Sequence, residues 1–280
     1  MSGPLRSAEL QLRAARHILP RGGLSRRRLG RLDDRLVFVA GSPRSGTTFL
    51  AGALGSLPGF VDLGEVAPLK AAIPALAGEP PERAAPEIRR LLTRARRLGL
   101  VGSLRSVEQT PETAFVLPAV LLAFPEARIV HALRDGRDVA SSLLERGWLR
   151  AGRGGTDDAG NRLGPEARFW VERGRRAEFP QVADARRAAW AWRRYVTAVR
   201  ESGAPVVEVR YERLAADSRA VASELAAALE VPEAPLQAAL ARAHDASVGR
   251  HARDLSADET REVLAECGGL LRELGYLPDA

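Results

Sequence analysis

Residues 35–40, Arg-Leu-Val-Phe-Val-Ala, run directly into Gly41-Ser-Pro-Arg-Ser-Gly46 and then into the helix-compatible stretch Thr47-Thr-Phe-Leu-Ala-Gly-Ala-Leu54. No other feature narrows the possible folds as far. A strand with one wet face alternates apolar and polar residues. This one does not alternate, as expected of a parallel strand covered by helices on both faces. Strand, glycine-bearing turn and helix form the unit from which doubly covered parallel sheets are built.

The unit recurs along the chain. Residues 127–133, Ala-Arg-Ile-Val-His-Ala-Leu, read as a second buried strand, turned by Arg134-Asp-Gly-Arg137 into a helix through Leu144. Residues 205–210 read as a third, between a helix at 184–201 and another at 218–230. A short strand at 59–63 ends at Gly64-Glu65. Helices are also predicted at 7–18, loosely up to Leu100 with a break at Gly78-Glu-Pro-Pro81, and at 113–124 despite Pro118. The polar, glycine-rich residues 152–164 suit a lid. The expected fold is α/β: a P-loop-like, three-layer α/β/α arrangement with a central parallel sheet. Ligands of such sheets bind beyond the carboxyl ends of the strands, where all three key loops fall.

With 280 residues, 45% of them hydrophobic, one domain over residues 35–280 is expected, preceded by a basic helical extension at residues 1–34. The net charge of +7 favours an anionic ligand, although nothing points to nucleic acid. Of 42 basic residues all but Lys70 are arginine, a bias that weakens any argument from one arginine cluster. The lone Cys267 cannot form an internal disulfide, and no Cys/His framework suggests a metal. No apolar run reaches the roughly 18 residues of a membrane span, and the N-terminus lacks a secretory core, so a cytoplasmic location is expected.

Position therefore has to carry the chemistry. Gly41 to Thr48 has the length and glycine placement of a Walker A loop, whose backbone N–H groups wrap a phosphate at a helix N-terminus. Thr47 stands where that motif has its lysine, which argues against triphosphate chemistry. Arg44, inside the loop, offers a planar guanidinium that can fork across a phosphate and a departing oxygen. In the second loop Arg134, Ser142 and Arg146 can converge on another anion, the last two lying one helical turn apart. The same segment can equally be a helix start capped by Asp135 or Asp138.

Taken together, Gly41-Ser-Pro-Arg-Ser-Gly-Thr-Thr-Phe-Leu50 and Leu133-Arg-Asp-Gly-Arg-Asp-Val-Ala-Ser-Ser142 resemble the 5′-phosphosulfate and 3′-phosphate motifs of the sulfotransferases that use 3′-phosphoadenosine 5′-phosphosulfate, the bacterial and tyrosylprotein branches most closely. The resemblance extends to Arg210-Tyr-Glu-Arg-Leu214, Val248-Gly-Arg250 and Leu274-Gly-Tyr-Leu-Pro278. It implies that Arg44, Ser45, Gly46, Thr47 and Thr48 hold the 5′-phosphosulfate, that Arg134, Ser142 and Arg146 hold the 3′-phosphate, that Tyr211 meets the adenosine and that Arg250 closes over it. It further implies that Glu65 is the base that deprotonates an acceptor hydroxyl, on a small molecule or a glycan.

Two departures stand out. Gln109, in Glu108-Gln-Thr-Pro111, occupies a position where relatives commonly carry a lysine beside the transferring group. After Glu65 come Val-Ala-Pro-Leu, without the arginines that grip acidic peptides, so a peptide tyrosine is disfavoured as acceptor. A non-catalytic module for phosphoadenosine or polyanions, and a nucleotide kinase, are the competing readings. His131 is expected to be a satisfied core residue, His244 and His251 show no evident partner, and of Trp190, Trp192 and Tyr195 it is Trp192 that is expected to be able to line a pocket.

Overall fold

The computed structural model describes residues 4–22, 32–150, 155–156, 162–163 and 168–278. Apart from two short strands, the expected lid at 152–164 lies outside the described residues.

The first half of the chain runs through α1 (Pro4–Gly22), β1 (Val37–Gly41), α2 (Thr47–Gly55), β2 (Phe60–Asp62), α3 (Ala67–Leu76), α4 (Pro81–Leu98), β3 (Arg105–Glu108), α5 (Leu117–Ala123), β4 (Arg128–Leu133) and α6 (Gly136–Arg146). The short strands β5 (Gly155–Thr156) and β6 (Arg162–Leu163) follow. The rest comprises α7 (Asp184–Glu201), β7 (Val206–Arg210), α8 (Tyr211–Ala216), α9 (Ser218–Leu229), α10 (Glu233–Leu240), α11 (His251–Asp254) and α12 (Ala257–Glu273). The helix expected at 113–124 is a 3₁₀ turn, Pro111–Phe115, followed by α5. Pro118 falls in the first turn of α5, where its missing N–H has no helical partner to lose.

Five strands form one sheet in the order β2-β3-β1-β4-β7, and every pairing is parallel. Strand β1 is central, and its neighbours explain its composition. Phe38 and Ala40 face one core with Ile129 and Leu133, under α4, α5, α6 and α7. Val37 and Val39 face the other with Val130 and Ala132, under α2, α9 and α10. A strand buried on both faces has no polar side to alternate with, which is what residues 35–40 show.

Strand β3 has no counterpart among the sequence expectations. Arg105, Ser106 and Glu108 interrupt its apolar character, yet Ser106, Val107 and Glu108 are buried between β2 and β1. Its insertion brings the end of β3 beside the loop that follows β1. Helix α1 packs on α3, α4 and β2, with Ala14 and Ile18 in the core and Arg13, His17 and Arg21 exposed.

Candidate active site

Because all five strands are parallel, their carboxyl ends lie along one rim, and the site residues appear there in sheet order. Strand β2 leads to Glu65, β3 to Gln109, β1 to Arg44, β4 to Arg134 and β7 to Tyr211. The register carries this through: Gly41 pairs with Ala132, and Leu133 with Arg210.

The loop after β1 is bent tightly. Gly46 caps α2 with φ 91°, and a Cβ there would sit 3.0 Å from the Tyr211 ring. Only glycine takes this backbone without strain while letting Tyr211 approach. Arg44 also has a positive φ, 74°, at a cost of about 1–2 kcal/mol for a residue with a side chain. Two contacts hold it. The Ser45 N–H donates to Ser42 O at 3.1 Å, and Arg134 Nη1 donates to Arg44 O at 3.2 Å. The conformation aims the Arg44 side chain across to α6, where its Nε donates to Ser142 Oγ at 3.0 Å.

The structure therefore brings the two predicted anion-binding loops into direct contact. Arg134 is buried, stacked over the Tyr211 ring at 4.5 Å, and also donates to Ser247 O. Its backbone carbonyl accepts from Trp192 Nε1 at 3.0 Å, and its Nη2 lies 3.7 Å from Asp138. Tyr211 donates its hydroxyl to His244 O at 3.1 Å and meets Ser247 Oγ at 3.0 Å. Two buried polar atoms here, Ser45 Oγ and Arg134 Nε, have no hydrogen-bond partner among the described residues. Unsatisfied donors of this kind are costly to bury, and an oxyanion would satisfy both. The start of α2 adds N–H groups and the positive end of a helix dipole.

Arg146 and Arg250 have other contacts. Arg146 lies 6.0 Å from the Trp148 ring, which Arg44 approaches from the loop side at 5.9 Å. Arg250 bonds Asp254 at 2.7 Å and Glu145 at 3.1 Å. Its segment is nevertheless tied to the site through Asp138, whose carboxylate accepts from the backbone N–H groups of Gly249 and His251 at 2.8 and 3.0 Å. His251, for which the sequence offers no evident partner, meets Asp138 through Nδ1 at 2.7 Å.

At the other end of the rim Glu65 is held by Lys70, with Nζ to Oε2 at 2.5 Å. Lys70 also lies 3.7 Å from Glu112, which accepts the Tyr195 hydroxyl at 3.3 Å. Together with Arg44, Thr48 and Trp148, the residues Glu65, Lys70 and Tyr195 line a cavity of about 120 Å³. Gln109 is close by, its Oε1 accepting from Thr48 Oγ1 at 3.2 Å. Burial raises the Tyr195 hydroxyl well above the ordinary tyrosine value. Glu108, wholly buried behind Gln109, is pushed up to about 7, although Thr110 and Thr113 donate to it.

Sequence reasoning gave no site role to Lys70, Glu112, Trp148 or Tyr195. A single lysine among 42 basic residues is an exception to the arginine bias, and that exception was the available signal. Trp192 is fully buried and anchors the Arg134 backbone, so Tyr195 lines the cavity and Trp192 does not. His131 is buried as expected but is not satisfied. Its Nε2 has no partner among the described residues, and its Nδ1 lies 3.8 Å from Glu208. Among the described residues no group of three His, Cys, Asp or Glu side chains is placed to hold a metal ion, and no helix is long and apolar enough to cross a membrane.

Comparison with solved structures shows the same architecture in known proteins. The sulfotransferase domain from the curacin biosynthetic pathway superposes with a TM-score of 0.51 at 16% identity, covering 81% of this chain and 84% of that one. A sulfotransferase from Mycobacterium avium gives 0.51 at 15%, covering 97% and 87%. A mouse sulfotransferase solved in complex with PAP gives 0.50 at 14%, covering 87% and 90%. No curated protein matches the chain in sequence. A model of the sulfotransferase family matches residues 37–235, the span from β1 into α10 that holds both of the loops expected to bind anions, and the chain belongs to that family.

Proposed function

We propose that this chain transfers a sulfuryl group from 3′-phosphoadenosine 5′-phosphosulfate to a hydroxyl of a small-molecule or glycan acceptor. The observation that carries the reading is the Arg44–Ser142 contact, with Arg134 bridging back to Arg44 O. One doubly phosphorylated nucleotide can span two loops that lie within the reach of its two phosphates, and loops that touch satisfy this. In this reading Arg44, Ser45, Gly46, Thr47 and Thr48 hold the 5′-phosphosulfate, while Arg134 and Ser142 hold the 3′-phosphate. Tyr211, already stacked on Arg134, takes the adenosine end. Arg146 and Arg250 reach the nucleotide by leaving their present partners, Trp148 for the first and Glu145 and Asp254 for the second.

When bound, the donor supplies an activated sulfuryl group whose sulfur–oxygen bond to the 5′-phosphate breaks as the acceptor oxygen bonds to sulfur. Glu65 takes the acceptor's proton. Lys70 orients that carboxylate and places a cation at the reacting end of the cavity, where Gln109 supplies none. Arg44 and the loop amides receive the charge that develops on the departing phosphate oxygen. The pathway domain and the Mycobacterium protein are sulfotransferases by name and the mouse protein is solved with PAP, which agrees with a bisphosphate product. Residues 35–280 carry this chemistry, residues 1–34 extend it, and the protein acts in the cytoplasm.

The deciding experiment is thermal stabilisation by adenosine 3′,5′-bisphosphate compared with ATP and magnesium. Stabilisation by the bisphosphate is expected. A preference for ATP rejects the reading in favour of a kinase. Bisphosphate binding without transfer from the phosphosulfate donor to any of a panel of hydroxyl compounds favours the non-catalytic module.

A further inference from the structure

Thr48 and Glu65, which line the aromatic cavity, also line a second one of about 280 Å³. Its far wall is α1. Arg13, His17 and Arg21 are spaced four residues apart, so they stack along one face of that helix. All three line the cavity opposite Thr48, Glu65 and Gln109.

The contact between this wall and the base loop is close. Gly64 has φ 64°, and a Cβ placed there would sit 2.7 Å from His17 Nε2 and 3.1 Å from Arg21 Nη1. Glycine at 64 thus lets the loop that carries Glu65 lie directly against the two α1 side chains. Asp62, at the end of β2, spends an oxygen on the Gly64 N–H at 2.7 Å. Glu65 is taken by Lys70. Among the described residues neither Arg13 nor Arg21 forms an ion pair. Arg13 and Arg21 lie two turns apart with His17 between them, and among the described residues neither has a carboxylate at helical spacing with which it forms an ion pair. Partial burial, and after it the neighbouring Arg21 guanidinium, lower the affinity of His17 for a proton, while the Asp62 carboxylate opposes them.

We infer that this cavity is the acceptor's anion subsite: Arg13 and Arg21 hold a carboxylate or phosphate group of the acceptor while its hydroxyl lies at Glu65. The inference rests on the sulfotransferase reading and adds the substrate class, a hydroxyl compound that carries its own negative charge. Helix α1 lies outside the residues that the family model matches, so the cationic wall of the subsite is not part of the span shared through that model, while Thr48, Glu65 and Gln109 are. Two guanidinium groups suit the task, because each can offer paired N–H donors to an oxyanion.

The test uses full-length protein saturated with adenosine 3′,5′-bisphosphate, and calorimetric titration of two matched pairs: 4-hydroxybenzoate against its methyl ester, and glycerol 3-phosphate against glycerol. The anionic member of at least one pair is expected to bind about tenfold more tightly or better, as charge-assisted contacts would give. The double variant Arg13→Gln/Arg21→Gln is expected to bring that ratio close to one. Both positions are exposed on α1 and glutamine is a good helix former, so the fold tolerates the change. If neither pair shows a preference, or if the preference survives in the variant, the inference is overturned. The pair responsible tells carboxylate from phosphate. Failure of the bisphosphate to bind counts against the donor reading alone, and the same titrations on unloaded protein then decide the subsite.

Discussion

Arg44 and Ser142, 98 residues apart in the chain, are joined by a 3.0 Å hydrogen bond from Nε to Oγ. In the proposed reading the bond makes one binding surface out of two loops that follow different strands. Parallel pairing of β1 with β4 brings the loops side by side, and the positive φ of Arg44 turns its side chain toward α6. A strained residue held by its neighbours is the usual condition of a functional loop.

Removing the buried cation of the second loop tests this surface. Arg134→Ala is expected to weaken adenosine 3′,5′-bisphosphate by about tenfold to a hundredfold, the worth of a charge-assisted contact. Isothermal titration measures it, and unchanged affinity would remove Arg134 from the nucleotide site.

The base assignment separates binding from turnover. Glu65→Gln keeps the shape of the side chain and loses the proton acceptor, so bisphosphate affinity is expected to persist while kcat falls by roughly 10²–10⁴. Turnover at the wild-type rate would exclude Glu65 from proton transfer.

Lys70→Met leaves Glu65 and Glu112 facing each other across the aromatic cavity without their shared cation. The expected cost is about 2 kcal/mol of stability, as for a charged hydrogen bond, together with a drop in kcat that exceeds any change in bisphosphate affinity. Thermal melts and initial rates read the two effects separately.

Two buried groups set opposing pH dependences. Burial lowers His131 from 6.5 to about 4, so the unfolded chain binds the extra proton between those values and stability falls as the pH drops from 6.5 to 4. Burial raises Glu108 from 4.5 to about 7, so the folded chain binds the extra proton and stability falls as the pH rises from 4.5 to 7. Between 4.5 and 6.5 the two slopes, each about 1.4 kcal/mol per pH unit, cancel. His131→Val is expected to unmask the Glu108 slope, with a melting temperature that declines from pH 4.5 to 7. Glu108→Gln is expected to unmask the opposite one, with a melting temperature that rises from pH 4 to 6.5. Parallel melting curves for wild type and both variants would contradict these assignments.

The amino-acid order alone determined whatever is local. The apolar run into Gly41-Ser-Pro-Arg-Ser-Gly46 specifies strand, loop and helix, because a buried parallel strand cannot alternate and a positive φ at position 46 needs glycine. The same holds for the turn after β4 and for the helix at Asp184–Glu201. Only tertiary structure decided the order of the sheet. Strand β3 carries Arg105, Ser106 and Glu108 and reads as no strand, yet its place between β2 and β1 sets Gln109 against Thr48. Nothing local to residue 70 indicates that α3 places the Lys70 ammonium on Glu65, and nothing in the spacing of Arg13 and Arg21 indicates that Gly64 lets α1 close on the loop that carries Glu65. The physical reason is the same in each case. Periodicity and turn chemistry act over a few residues, whereas these contacts join segments tens of residues apart, and packing of the whole chain selects them.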